Sequence, residues 1–209
     1  MSKLVENSLL ALPNTEWGID RGVLEIRKAV IIFTNFTGKA NKFGNTSKNF
    51  NVVLPPDLKD YLEGQDIHVN IHKYPNSKDL GPDDPVLYYI NVKVNMDTQF
   101  PPKVTLYVDK QTTDATGAVI SKKSKATLTE ETIGCLDRAD LDRVDCTINF
   151  RESSTSPGNA VFYLRQLNAK QTKIPDFGGA WEDFDEDSID PVEANPEIQA
   201  VEEFLQENK

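Results

Sequence analysis

The chain has 209 residues, a formal net charge of −10 and a hydrophobic content of 38%, which allows one sizeable domain with a tail or two small domains. It contains no run near the roughly 18 apolar residues of a membrane-spanning helix, and its N-terminus makes a poor signal peptide. We therefore expect a soluble intracellular protein that is not embedded in a membrane, in which Cys135 and Cys146 stay reduced rather than form a disulfide.

The acidic residues are concentrated at the C-terminal end of the chain. Residues 176–209 contain twelve acidic residues and one basic residue, Lys209, whereas the preceding part contains 21 acidic and 22 basic residues. The net charge is therefore −11 in the last segment and +1 in the rest of the chain. The acidity belongs to a tail and is not a property of the whole protein.

Residues 1–20 show no clear periodicity, and we expect a loose lead-in there. From residue 21 to about residue 173 the hydrophobic pattern is mostly strand-like. The first half of this region predicts three strands and one short helix, which begins at Pro56 and ends at Gly64. The three strands are VLEIRKAVIIFTNF (23–36), KNFNVVL (48–54) and DIHVNIHKY (66–74).

The second half of this region predicts four more strands and a second helix. The strands are VLYYINVKV (86–94), KVTLYVD (103–109), DCTINFRE (145–152) and AVFYLRQLNAK (160–170). Alternation in the first two predicts a buried face made of Tyr88, Ile90, Val92, Val94, Val104, Leu106 and Val108. Thr129, followed by two glutamates, predicts a capped helix over residues 129–144. This many short strands with few helices predicts a mainly β domain, either a small β-barrel or a sandwich.

After Ile174 the composition changes to carboxylates, prolines and a Gly-Gly pair. Such a segment has too little apolar surface to offset the conformational entropy lost on folding. We therefore expect a mostly disordered acidic tail over residues 174–209. Apolar residues return at helical spacing near the end, which predicts a short amphipathic helix at 196–207 that forms on a partner.

Motifs for catalysis and for metal binding are missing or incomplete. The sequence has no P-loop and no G-x-S-x-G motif, and His68 and His72 would lie about 13 Å apart on one strand face, too far to share a metal ion. The carboxylates that begin at Asp183 have calcium-loop spacing, but Ser188 replaces the required glycine and Ala194 the final glutamate. The sequence therefore predicts no enzyme, no metal site and no cofactor.

A basic, aromatic segment follows the first predicted strand and has the chemistry of a nucleic-acid site. Residues 21–50 contain six basic residues against Glu25 alone. Binding of single strands without sequence preference needs cations along the backbone and flat rings on which bases stack. We expect Phe43 to be such a ring and Phe50 to lie in the core. The other predicted binding residues of this segment are Phe33, Phe36, Lys39, Lys42 and Lys48, and the two phenylalanines fit a core role equally well.

Two later strands carry a similar pattern on the side turned away from the predicted core. Tyr89 is four residues from Lys93, and Lys103 is four residues from Tyr107, so each pair shares one strand face. An aromatic ring beside a cation suits a stacked base and its phosphate. Together with Arg151, these pairs complete the predicted nucleic-acid surface.

The acidic tail has a predicted role of its own. A flexible polyanion tethered to a cationic groove can occupy that groove and compete with nucleic acid. Apolar side chains among the carboxylates also predict docking to other proteins. The predicted partner-binding residues are Trp181, Asp183, Phe184, Asp185, Glu186, Asp187 and Phe204. The alternative is a protein-interaction adaptor whose acidic tail mimics DNA.

The segment AVIIFTNFTGKANKFGNTSKNFNVVL (29–54) resembles the N-terminal motif of single-stranded DNA-binding proteins of tailed bacteriophages, which runs roughly N-F-x-G-x-x-x-x-F-N-x-x-G-x-(R/K)-N-F-x-V-x-L, with one residue fewer here between Phe43 and Lys48. The matching residues are Asn35, Phe36, Gly38, Phe43, Lys48, Asn49, Phe50, Val52 and Leu54. The segments PPKVTLYVDK and LTEETIGCLDRADLDRVDCTINF resemble later blocks of the same family. The resemblance therefore covers most of the chain before the tail.

This resemblance implies an OB-fold and single-stranded DNA as the ligand. We accordingly expect an OB-fold-like small β-barrel with one or two short helices over residues 21–173, followed by the acidic tail. The family also implies a role in phage DNA replication or recombination in the cytoplasm of the infected bacterial host. Replication or recombination proteins are the expected partners of the tail, and the sequence leaves a homodimer open.

Overall fold

A computed structural model describes residues 15–40, 44, 46–74, 86–113, 117, 119–171 and 182–183. The described residues are mostly in strands, so the predicted mainly β fold is confirmed. The strands are β1 (Glu16–Asp20), β2 (Val23–Arg27), β3 (Ile31–Asn35), β4 (Asn49–Val53), β5 (His72–Tyr74), β6 (Leu87–Lys93), β7 (Lys103–Thr113), β8 (Val119–Leu128), β9 (Leu141–Glu152), β10 (Ala160–Gln171) and β11 (Glu182–Asp183). The helices are α1 (Pro56–Glu63) and the 3-10 helix η1 (Ile133–Asp137). In the described part of the chain, no helix is long and apolar enough to cross a membrane.

Six strands close into a small barrel. β2 pairs with β9, β9 with β10, β10 with β6, β6 with β4, and β4 with β3, and only the β10–β6 pair is parallel. The backbone between β2 and β3 bonds to both sides of the remaining gap. Ala29 N–H donates to Val144 O on β9, and Val53 N–H on β4 donates to Val30 O. β2 and β3 therefore act as one bent segment that closes the ring, as an OB-fold-like barrel requires.

The same bend explains why one predicted strand, residues 23–36, is observed as two. Lys28 lies between β2 and β3 with a φ of 55°, in the left-handed region that side chains rarely adopt. Its backbone N–H donates to Asp145 Oδ1 at 2.8 Å, which holds the bend against β9. The hydrophobic pattern runs through the bend without a break, so periodicity alone could not locate it.

The barrel interior is filled by alternate residues of the strands, and α1 covers one end of it. Leu58 and Leu62 of α1 are buried against the barrel core, and α1 begins and ends within a residue of its predicted limits. The predicted inward-facing residues Val104, Leu106 and Val108 are buried, which confirms that strand face. The largest fully buried side chains are Phe36, Phe50, Leu24, Ile26, Leu58, Leu62, Ile90, Leu106, Ile133, Ile148, Leu167 and Gln171.

The prediction that Tyr88 lies in the core is wrong. Ile90, Val92 and Val94 of the same predicted face are buried, but Tyr88 is 37% exposed. It lies near the start of β6, next to α1, and its ring contacts Lys59 with the Nζ atom 5.0 Å from the ring centre. The strand extends past the edge of the packed interior at this point, so its alternation continues while burial does not.

The predicted helix over residues 129–144 is also wrong, because within it only η1 is helical and β9 begins at Leu141. Gly134 lies against the turn after β3, where a Cβ atom would come within 2.7 Å of Thr37 Cγ2. At the end of η1 the carboxylate of Asp137 accepts the backbone N–H groups of Phe36 and Thr37, both at 2.8 Å. These tertiary contacts outweigh the local helix propensity of the segment.

Two other boundaries differ from the sequence prediction. β1 lies inside the predicted lead-in and forms a hairpin with β2 through Arg21 and Gly22, both at positive φ. Trp17 and Ile19 of β1 are partly buried and pack against the core, which holds the strand in place. Within the predicted strand 66–74 only β5 is a strand, which pairs with β6, and His68 forms an isolated parallel bridge with Asn159.

β7 and β8 form a hairpin that extends beyond the barrel. β7 pairs with β10 from Lys103 to Val108, and it pairs with β8 from Val104 to Thr113. β10 ends at Gln171 opposite Val108, so the rest of the hairpin has no β10 partner. On the far side of the hairpin, β8 pairs with β11.

Candidate nucleic-acid interface

Polar and aromatic residues occupy the side of the barrel sheet that faces away from the core. They alternate with the buried residues of the same strands, as the pleat of a strand requires. On β6 these outward residues are Tyr89, Asn91 and Lys93, and the register sets Lys93 beside Tyr163 of β10. We call the outward side of β4, β6, β7, β9 and β10, together with the residues that contact it, the outer face.

Four aromatic residues form a connected group on the outer face. We call Phe33, His72, Tyr74 and Tyr89 the aromatic group. The ring centre of Phe33 lies 5.2 Å from that of Tyr74 and 5.7 Å from that of Tyr89, both near edge-to-face, while His72 stacks on Tyr89 at 5.2 Å. Phe33 is 46% exposed, so its ring is open to a stacked base.

The backbone of Phe33 explains its exposure. The pairing of β3 with β4 is irregular between Ile32 and Asn35, and Phe33 within this irregularity has a φ of 49°. A bulge of this kind turns a side chain away from the direction that strict alternation would give. A bulky residue at positive φ is uncommon, and such strained positions concentrate at functional sites.

A small apolar cluster supports the aromatic group. It consists of Val30, Ile32, Val53 and Leu87, all buried, with Tyr74 and Tyr89 packed against it. Burial raises the pKa of Tyr89 above its ordinary value, so its phenol stays neutral at physiological pH and does not repel a phosphate. The aromatic group is therefore a ring surface on a fixed support.

Asparagine side chains link the aromatic group to the cations on the outer face. Asn91 Nδ2 donates to Asn51 Oδ1 at 2.9 Å and to Asn49 Oδ1 at 3.3 Å. Asn51 Nδ2 in turn donates to the backbone oxygen of Phe33 at 3.5 Å. Because Asn91 lies between Tyr89 and Lys93 on β6, these bonds fix the polar surface between the two.

One aromatic ring of the outer face is contacted by two cations. Lys93 Nζ is 5.7 Å and Arg151 Cζ is 5.0 Å from the ring centre of Tyr163, both within the range of cation–π attraction. We call Lys93, Arg151 and Tyr163 the cation–ring group. Arg165 lies nearby and its Nη1 donates to Asn149 Oδ1 at 3.4 Å. The group offers two positive charges beside a flat ring.

The outer face continues from this group along β10 to β7. Lys103 is in register with Gln166, and Tyr107 is in register with Lys170, all on strand positions that alternate with the buried residues. The structure therefore places both tyrosine–lysine pairs that the sequence singled out, and Arg151, on one continuous surface of the sheet.

A family model for the phage ssDNA-binding domain matches residues 19–203, which is most of the chain. The chain belongs to this phage single-stranded DNA-binding family. Among solved structures, it is similar to the C-terminally truncated single-stranded DNA-binding protein from bacteriophage Enc34, with 11% sequence identity and a TM-score of 0.36. The match covers 78% of this chain and 96% of that chain. No curated protein matches the sequence.

Family membership supports single-stranded DNA as the ligand of this phage protein. The family is a DNA-binding type rather than a catalytic one. The rings and cations of the outer face are the residue types that binding of a single strand requires, since bases stack on rings and phosphates pair with cations.

Two of the predicted binding residues lie in other surroundings. Phe36 is fully buried and stacks on Phe50 at 5.4 Å, so it belongs to the core and cannot meet a base. Phe50 is buried as predicted. Lys48 is mostly buried and forms an ion pair with Glu130 at 2.6 Å. The negative charge of Glu130 offsets the positive charge that Lys48 would offer to a phosphate. Lys39 is exposed, and its backbone N–H bonds to Asn35 Oδ1 at 2.9 Å.

Other predicted residues lie outside the part of the chain that the structure describes. In the loop between β3 and β4 these are Lys42 and Phe43, the ring that the sequence favoured most. In the tail they are Trp181, Phe184, Asp185, Glu186, Asp187 and Phe204, together with the predicted helix at 196–207. Asp183 is described through its backbone, as part of β11.

The sequence analysis missed several residues of the outer face. Tyr163 lies two positions before Arg165 on a strand, so the rule that selected Tyr89 and Lys93 could also have found it. Tyr74 and His72 join the aromatic group through the β5–β6 pairing, which periodicity does not show. Apart from the outer face, the sequence analysis did not single out Phe100, which is 79% exposed in the loop between β6 and β7, where no periodic pattern exists.

Proposed function

We propose that this phage protein binds and protects single-stranded DNA, without strong sequence preference, during replication and recombination of the phage genome. It would act in the cytoplasm of the infected bacterium and catalyse no reaction. The observation that carries the proposal is the cation–ring group, in which Lys93 and Arg151 both lie within 6 Å of the Tyr163 ring centre. A base that stacks on this ring would have its phosphate within reach of two positive charges.

The arrangement favours single strands over duplexes for a physical reason. Stacking on a protein ring needs an exposed base face, which a duplex does not offer, and it contributes about 1–3 kcal/mol per base whatever the base is. The aromatic group and the cation–ring group lie at either end of the β6 segment from Tyr89 to Lys93, about 13 Å long at ~3.3 Å per residue. An extended strand crossing this segment could use both groups.

We further propose that the acidic tail regulates this binding and recruits proteins of replication or recombination. Its net charge of −11 opposes the net charge of +1 of the rest of the chain, so it can compete with DNA for cationic residues. Trp181, Phe184 and Phe204 give it apolar anchors for a protein partner. The tail would thus exchange between the body of the protein and other proteins when DNA binds.

The decisive experiment compares DNA binding of the full chain with that of two single variants. Fluorescence anisotropy of a labelled oligothymidine should show tight binding, and an unlabelled duplex should compete poorly. Tyr163→Ala should weaken binding by about 5- to 150-fold, the equivalent of one stacked base. The matched control is Tyr61→Ala, because Tyr61, like Tyr163, is a tyrosine that is not fully buried, but it lies on α1 against Trp17.

Two results would contradict the proposal. Equal affinities for Tyr163→Ala and Tyr61→Ala, with melting temperatures unchanged, would move the DNA site away from the outer face. If the full chain bound neither single strands nor duplexes but bound proteins through its tail, the adaptor function would replace DNA binding.

A further inference from the structure

The two edges of β8 have different partners. One edge pairs with β7 in the projecting hairpin. The other edge pairs antiparallel with β11, in which Glu182 is opposite Lys125 and Asp183 is opposite Ser124. β11 is the one part of the acidic tail that the structure describes, and it lies on a strand rather than across the aromatic group.

We propose that the outer edge of β8 is the docking site of the acidic tail. The tail docks by adding residues 182–183 of the same chain to the sheet as a short antiparallel strand. This inference rests on the proposed regulatory role of the tail and adds the place and the mode of its docking. Strand addition supplies backbone hydrogen bonds, and the facing side chains supply the selectivity.

Charge complementarity favours an acidic strand at this edge. β8 contains three lysines and no acidic residue, and residues 181–187 contain five acidic residues and no basic one. Lysines on an edge strand discourage pairing with an arbitrary second strand, because their charge has to be desolvated or matched. A carboxylate-rich strand provides the match, and Lys125 stands directly opposite Glu182.

The connection to the tail is long enough for docking within one chain. β10 ends at Gln171, and ten residues lead from there to Glu182. β10, β7, β8 and β11 are consecutive neighbours in the sheet, so β11 lies three spacings of ~4.8 Å, about 14 Å, from β10. Ten extended residues reach roughly 33 Å. Because the reach of the connection is only moderately greater than the distance between β10 and β11, the effective concentration of the tail at this edge is high.

The register connects this docking site to the DNA surface. Arg143, Lys170, Tyr107 and Lys125 are successive cross-strand partners on β9, β10, β7 and β8, and Glu182 comes next on β11. Docking therefore adds a carboxylate-bearing position at the end of a row rich in basic residues. The tail would oppose DNA by changing the charge at the border of the outer face.

A pair of cysteines tests the docking in the full-length chain. Lys125→Cys with Glu182→Cys places two thiols at directly opposed positions of antiparallel strands, where the Cα separation suits a disulfide. The control pair is Thr127→Cys with Glu182→Cys. Position 127 lies on the same strand as position 125 but two residues out of register with position 182. Mild oxidation should form the 125–182 disulfide within one chain at least ten times faster than the control disulfide, as measured by non-reducing gels and peptide mass spectrometry.

Two outcomes of the cysteine test would overturn the docking site. Equal rates for the two pairs would show that the tail has no fixed register on β8. A disulfide that forms mainly between two chains would show that the edge receives the tail of another copy.

DNA binding by the same variant separates this inference from the proposed function. The oxidised, locked protein should bind labelled oligothymidine at least fivefold more weakly than the same sample after reduction, and added DNA should slow the oxidation of the reduced form. If the disulfide forms in register but neither effect appears, the docking site stands and regulation by it is overturned. If the reduced variant and the natural chain both fail to bind DNA, the proposed function is overturned independently of the disulfide.

Discussion

Phe33 combines an exposed ring with an unfavourable backbone conformation. Its φ of 49° costs a bulky L-residue about 1–2 kcal/mol, and its contacts with Tyr74 and Tyr89 return a similar amount. Fold stability alone therefore gives little reason for phenylalanine at this position. The ring is better explained by what it can bind on the outer face.

Replacing Phe33 by glycine tests this explanation. Phe33→Gly removes the ring contacts and the backbone strain together, so the free energy of unfolding should change by less than about 1 kcal/mol. Affinity for single-stranded DNA should fall by about 5- to 150-fold, because one stacking surface is lost. Urea denaturation and anisotropy titrations measure the two quantities.

The control for Phe33 is the buried Phe36, three residues further along the chain. Phe36→Leu should lower the free energy of unfolding by about 1 kcal/mol or more through imperfect repacking, and it should leave DNA affinity unchanged. If Phe36→Leu reduced affinity as much as Phe33→Gly does, the assignment of the two rings to core and surface would be reversed.

The two thiols should be unreactive in the native protein. Burial raises the pKa of Cys135 to about 11 and that of Cys146 to about 12, against an ordinary value near 8.5. At pH 8 only about one thiolate in a thousand is then present at Cys135, compared with about one in four for an exposed thiol. Alkylation by iodoacetamide should be correspondingly slow and should rise about tenfold per pH unit between pH 8 and pH 10.

Mass spectrometry of the native protein checks this pH dependence, with the urea-unfolded protein as the reference for ordinary thiols. A native rate that equals the unfolded rate at pH 8, or that levels off near pH 9, would mean that Cys135 is open to solvent with an ordinary pKa.

At the scale of elements, η1 acts as a clamp on the turn after β3. Asp137 accepts two backbone N–H groups there, and Gly134 allows the close approach. This turn leads directly into the basic loop, residues 38–48, that the sequence marked as a nucleic-acid site. The clamp therefore fixes where that loop leaves the barrel.

Substitution of Asp137 by asparagine should release this clamp. Asp137→Asn keeps the shape of the side chain but loses its charge and replaces one acceptor by a donor, which leaves one N–H group without a partner. We expect a loss of about 1–3 kcal/mol in the free energy of unfolding and a fall of roughly 2–4 °C in Tm per kcal/mol. Calorimetry measures the Tm of this variant and of a control, Glu131→Gln, at an exposed position. Equal Tm values for the two variants would contradict the clamp.

The elements also show what a sequence can and cannot specify. Strict alternation identified the buried faces of β6 and β7 through residues such as Ile90 and Leu106, because that pattern is local. The 3-10 geometry of η1 depends on the contact between Gly134 and Thr37, nearly a hundred residues apart. Barrel closure at Ala29 and the exposure of Phe33 at a bulge depend in the same way on pairing between distant segments.

At the scale of the whole molecule, charge separates the chain into a nearly neutral folded part with a basic and aromatic outer face and a strongly acidic tail. The sequence alone predicts this separation, since it needs only a count of side chains. The sequence could not predict that Glu182 and Asp183 pair with β8, because strand addition leaves no periodic signal in two residues. Salt should weaken both DNA binding and tail docking, because each of them brings opposite charges together.

Removal of residues 176–209 should therefore change the salt dependence of DNA binding as well as its strength. For the truncated protein, log K should fall with log salt concentration with a slope of about −0.7 per phosphate contacted. In the full chain, salt also weakens tail docking and so frees the outer face, which makes the slope shallower. The truncated protein should bind more tightly in dilute buffer, and the two affinities should converge as the Debye length shortens. Anisotropy titrations give a plot of log K against log salt concentration for each protein. Equal slopes and equal intercepts for the two proteins would mean that the tail does not compete with DNA.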